Sequence, residues 1–121
     1  MKIDFDVKAT ANAVVRAVKT QAKDDWAVIE SYVRTQADLM AKQAAAIANG
    51  VAHGALKDDP DFLKTSSEDL AKETKAFAQE IVALAILAFE KVWNATVKVL
   101  WGAINKVLAS AGLGALALPV A

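Results

Sequence analysis

The chain has 121 residues, 14 basic against 14 acidic side chains, one histidine and no cysteine. That length fits a single domain spanning residues 1–121, and the balanced charge offers no concentrated basic face for nucleic acid. The lack of cysteine excludes disulfides, thiolate catalysis, iron–sulfur clusters and cysteine-ligated zinc.

Charge is unevenly distributed. Residues 1–80 carry 24 of the 28 charged side chains, and after Glu90 only Lys91, Lys98 and Lys106 remain. The chain therefore becomes apolar and mildly basic toward its end.

Residues 1–6 read as a short extended lead-in, with Asp4 or Asp6 placed to cap the helix that follows. Those acidic residues fall where a secretory signal would have its apolar segment, so no cleavable signal is expected. The expected location is the cytoplasm or an assembled particle, with export by a non-classical route left open.

A long periodic segment comes next. Apolar or small residues recur from Ala11 through Val15, Val18, Ala22, Trp26, Ile29, Val33, Met40, Ala44 and Ile47 to Val51, with Gln36 the one polar interruption. Counting Gln36, there are 11 steps over 40 residues, or 3.64 residues per step, close to the period of a straight α-helix. One helix over about 7–52 is predicted, roughly 70 Å long at 1.5 Å per residue. Asp24-Asp25 could cap a second helix beginning at Trp26, but the unbroken stripe favours continuity. Glu30 with Arg34 and Asp38 with Lys42 stand four residues apart with the acid first, the favourable order on a solvated helix face.

Turn-forming residues then accumulate at Asn49-Gly50, Gly54 and Asp58-Asp59-Pro60-Asp61. The first helix is expected to end between Gly50 and Lys57, with a turn near Asp58. A short turn helix is expected near 60–64, capped by Asp59 and opened by Pro60. Thr65-Ser66-Ser67-Glu68 matches a capping box for a second long helix over about 66–109, to which Glu68 and Lys72 add a third spaced pair. Ser110-Ala111-Gly112-Leu113-Gly114 stops it and leaves an apolar C-terminal tail.

The fold predicted is all-α: an antiparallel hairpin of two long helices. The second helix carries two apolar stripes where one neighbour needs only one. One stripe runs Phe77, Ile81, Leu84, Ala88, Val92, Ala95 and Val99. The other carries Val82, Ile86, Phe89, Trp93, Val97, Leu100, Ile104 and either Val107 or Leu108, with Trp101 nearby. In a straight hairpin the first helix can cover only the former. Leaving the latter in water would forfeit several kcal/mol at about 25 cal/mol per Å². The core is therefore expected to be completed by oligomerisation, with Val82, Ile86, Phe89, Trp93, Val97, Leu100, Trp101, Ile104 and Leu108 as the interface with protein or lipid.

No motif supports catalysis. His53 lacks a second histidine or a cysteine and reads as a surface or helix-end residue. Asp58, Asp59 and Asp61 lack the ligand spacing of a calcium loop. No phosphate-binding or dinucleotide glycine pattern occurs, and no cofactor, metal or small-molecule substrate is expected. Asn94-Ala95-Thr96 fits a glycosylation acceptor by chance inside a helix, whereas Asn94 and Asn105 could pair with a neighbouring helix or simply face solvent.

The expected function is a non-enzymatic structural or assembly subunit of a homo-oligomer, particle, tube or filament, with a virion or bacterial assembly among the settings it suits. The alternative is a membrane-active helical protein using residues 77–121, because Trp93 and Trp101 with Lys91, Lys98 and Lys106 could anchor an interfacial helix. Glu80, Glu90, Lys91 and Lys98 argue against an ordinary transmembrane span. An adaptor that receives a foreign helix is a third possibility.

Overall fold

The computed structural model describes residues 4–53 and 59–120, and all of its regular structure is helical. The helices are α1 (Val7–Ala22), α2 (Trp26–Ala52), α3 (Pro60–Leu84) and α4 (Phe89–Ser110). They form a bundle in which every pair except α1 and α3 is in contact among the described residues, so those two lie on opposite corners.

The hairpin of two unbroken helices is thus corrected twice. The first break is a single 3₁₀ turn, Lys23–Asp25, which folds α1 back along α2. Lys23 has φ 51° and ψ −116°, a left-handed conformation costly for a residue with a Cβ. The periodicity was real, but folding it in half lets one part of the stripe cover the other. Val14, Val18, Ile29 and Val33 are all completely buried as a result. Ala37, Ala41, Ala44 and Ala48 are likewise at 0% exposure, and their small side chains suit close helix packing. Asp24-Asp25 was the correct place for a break, although Asp25 makes no side-chain capping bond.

The second break lies at Ala85–Ala88. The Ala85 N–H still donates to the Ile81 carbonyl, but Ala85 is extended at φ −141°, ψ 157°. Leu87 N–H donates to the Ala85 carbonyl across the turn, and α4 starts after Ala88 with no side-chain cap. The turn brings α4 back across α3 and into contact with α1 and α2.

The turn helix predicted at 60–64 and the helix predicted from 66 are one continuous element. Asp59 Oδ1 accepts the Phe62 N–H at 2.9 Å and Pro60 occupies the first turn, as expected. Thr65-Ser66-Ser67-Glu68 therefore lies inside α3 and caps nothing, because the helix has already begun. Ser67 instead donates to the Lys64 carbonyl. The turn expected near Asp58 lies outside the described residues.

Other helix ends follow the sequence closely. Asp6 accepts the Ala9 N–H at 2.9 Å and caps α1. At the end of α4, Gly112 at φ 77° lets its N–H reach the Ala109 carbonyl and the Leu113 N–H reach the Leu108 carbonyl, a Schellman closure. Glu30–Arg34 and Asp38–Lys42 close at 2.9 Å each, on exposed surface where such pairs add little. The pair expected between Glu68 and Lys72 does not form.

Polar groups in the core are satisfied locally. The buried Thr74 and Thr96 hydroxyls donate at 2.8 Å to the Leu70 and Val92 carbonyls one turn back. No buried side-chain nitrogen or oxygen is left without a partner among the described residues.

Candidate functional site

The nine residues assigned from sequence to an intermolecular interface separate into two groups. Trp93, Val97, Leu100, Trp101, Ile104 and Leu108 lie on α4 and are buried within the chain's own core. Helices α1 and α2 cover them, both reaching α4 because each long segment has folded in half. The premise that no segment of this chain could cover that stripe is corrected on this point.

The other three residues flank the second break. Val82 and Phe89 are half-buried, and the Phe89 ring stacks on Trp93 with centroids 6.1 Å apart. Ile86 is 96% exposed. It projects from a turn whose neighbours are also apolar: Leu84 is exposed, and Leu87 is half-buried. Lys23 and Lys91 line the same cleft as Ile86 and Leu87. That cleft places the two breaks side by side at one end of the bundle, with α1 and α4 antiparallel. Val28, in the first turn of α2, adds an exposed apolar side chain near this end.

The opposite end holds polar features of less obvious chemical use. His53 Nε2 lies 3.7 Å from Asp4 Oδ1, an ion pair only when the imidazole carries a proton. Asp59 serves as a cap and Asp61 is exposed in the first turn of α3; Asp58 falls outside the described residues. No group of three or more potential metal-ligating side chains assembles among the described residues. A groove between α1 and α4 is lined by Asp4 and Asp6 on one side and Lys98 and Lys106 on the other, around small residues such as Ala9 and Gly102.

Two further side chains have defined surroundings. Tyr32 stacks on Phe77 at 5.9 Å, and burial pushes its phenol above the usual tyrosine range, with Glu80 and then Glu73 adding to the effect. Trp26 has two cations near its ring, with Lys19 and Arg34 each 6.0 Å from the centroid.

One side chain clips the main chain of the tail. Asn105 on α4 donates from Nδ2 to the Leu116 carbonyl at 3.1 Å and accepts the Leu116 N–H at Oδ1 at 2.7 Å. Neither amide pairs with a neighbouring helix: Asn105 binds this chain's own non-helical tail, and Asn94 is exposed. Leu113 and Leu116 pack against the core, and Leu118 and Val120 are exposed.

Sequence reasoning missed the reversal that carries Ile86 because Ala85–Ala88 contains no glycine, proline, asparagine or aspartate. No helix among the described residues is long and apolar enough to cross a membrane. Searches against family models, curated proteins and solved structures find no match to this chain.

Proposed function

We propose that the chain is a non-enzymatic structural or assembly subunit that packs into a homo-oligomer or a larger protein assembly through its apolar turn, residues 84–89. The observation that carries this reading is the 96% exposure of Ile86 at the tip of that turn. Burying such a side chain against a partner is worth about 1.5–3 kcal/mol, and Leu84, Leu87 and Phe89 extend the same surface.

The test is molar mass by light scattering across the micromolar range, for wild type and for Ile86→Asp. A mass above that of one chain, lost in Ile86→Asp, supports the reading. A single-chain mass for the wild type at every concentration, also in the presence of a lysate, removes it.

A second reading has its own support. Lys23 and Lys91 flank the Ile86 and Leu87 cleft, and an apolar tip between lysines suits the interface of an anionic bilayer. Flotation with phosphatidylserine-containing vesicles separates the two readings: lipid binding that Ile86→Asp abolishes, with no self-association, supports the membrane reading.

A further inference from the structure

Three observations about the two chain reversals point in one direction. The first is composition. At one end of the bundle the chain reverses at Ala22-Lys23-Asp24-Asp25 and at Ala85-Ile86-Leu87-Ala88. Neither segment contains glycine or proline, and the second consists wholly of alanine, isoleucine and leucine. Apart from Asp24-Asp25, these are helix-forming residues in positions where turn chemistry is expected.

The second observation is strain and exposure. Lys23 sits at φ 51° without being glycine, and Ile86 is 96% exposed. In a continuous helix Lys23 would take an ordinary helical conformation, and Ile86 would rejoin the stripe of Val82, Phe89 and Trp93. Both penalties belong to the folded-back form alone.

The third is placement. The cleft lined by Gln21, Lys23, Ile86 and Lys91 puts the two reversals side by side. Straightening both at once therefore moves α1 and α4 together as one body away from α2 and α3. The α1–α4 and α2–α3 packing is retained. The α1–α2, α3–α4 and α2–α4 packing is lost, and a second open chain supplies the same surfaces in return.

We propose that this chain exchanges halves with a second copy of itself, each protomer opening at Lys23–Asp25 and Ala85–Ala88 into a long two-helix hairpin. Two open chains, placed antiparallel, rebuild two four-helix bundles in tandem, with α1 and α4 of one copy packed on α2 and α3 of the other. Short hinges under strain favour such exchange, because the packed surfaces are the same in both forms and the hinges decide the balance. This inference rests on the assembly reading above and specifies its partner as an identical chain.

The experiment measures distance inside one protomer. The protein has no cysteine, so Asn12→Cys/Asp38→Cys can be spin-labelled uniquely and diluted with unlabelled chain. Both sites are on the surface and line one groove of the closed form. In a straight helix they stand 26 residues apart, about 39 Å at 1.5 Å per residue, against helix axes about 10 Å apart when closed. A second pair, Lys75→Cys/Lys98→Cys, reads the other hinge, with about 35 Å expected when open.

The expected result is a short distance in the monomer fraction and the long distance in the dimer fraction, for both pairs. Lys23→Gly, which relieves the left-handed strain and weakens the straight helix, lowers the dimerisation constant about 30-fold or more. Asp24→Ala/Asp25→Ala raises it. Dimers that keep the short distance overturn the exchange and leave the assembly reading standing. A chain that stays monomeric throughout overturns both.

Discussion

Ile104 and Ile86 belong to one apolar stripe of the sequence, yet the bundle treats them oppositely. Ile104 is at 0% exposure and Ile86 at 96%. Ile104→Ala removes three buried carbons, worth about 2.4 kcal/mol at about 0.8 kcal/mol each, and incomplete collapse of the cavity raises the loss to roughly 3–4 kcal/mol. Ile86→Ala removes the same atoms from water-exposed surface and is expected to change stability by less than about 0.5 kcal/mol. Urea unfolding followed by far-UV circular dichroism, at concentrations where the monomer dominates, reads both from the transition midpoints, provided the slopes are unchanged. The expected thermal counterpart for Ile104→Ala is a fall in Tm of about 12–16 °C, at about 4 °C per kcal/mol for a chain of this size. In a straight two-helix hairpin both residues would face the same partner. Equal losses for the two variants, or a larger loss for Ile86→Ala, would refute the assignment of α4 to the interior of the bundle.

Asp59→Ala removes the α3 cap and is expected to cost about 1 kcal/mol in the same assay, whereas Thr65→Ala, inside the helix, is expected to be neutral. Equal costs would place the helix start at the capping-box sequence instead. The raised Tyr32 phenol gives a pH signature. The neutral form is favoured in the folded state, so its contribution is fully present below the unfolded value of about 10 and is lost as pH rises through the higher folded value. Tyr32 is the single tyrosine, so ultraviolet titration of the folded protein reads it alone. Tyr32→Phe should flatten the alkaline loss of stability, and an unchanged profile would show that the phenol does not contribute to it.

The elements that sequence made legible are those whose ends carry local chemistry. Asp6, Asp59-Pro60 and Gly112 each mark a helix boundary through a hydrogen bond or a backbone conformation that a few residues determine. The two reversals are of another kind. Ala22-Lys23 and Ala85–Ala88 have residues that favour helix, and the stripes pass through them in phase. What turns the chain there is the burial gained when α1 covers α2 and α4 reaches both, which no local window contains. The candidate interface was misread for the same reason. An excess of apolar surface is legible, but whether it faces another molecule or another part of the same chain depends on the number of reversals. Thr65–Glu68 errs in the opposite sense, since a capping pattern acts only at a helix end and α3 had already started at Pro60.

The Asn105 clip recognises the tail without reading it. Both bonds go to the main-chain N–H and carbonyl of Leu116, groups that nearly every residue carries. Geometry and reach, not the identity of residue 116, therefore set where the tail is pinned, and a substitution there leaves the clip intact while altering only what the side chain packs upon. The specificity of the contact lies in one amide on α4, so a change at Asn105 removes both clip bonds at once and leaves the tail to the packing of Leu113 and Leu116.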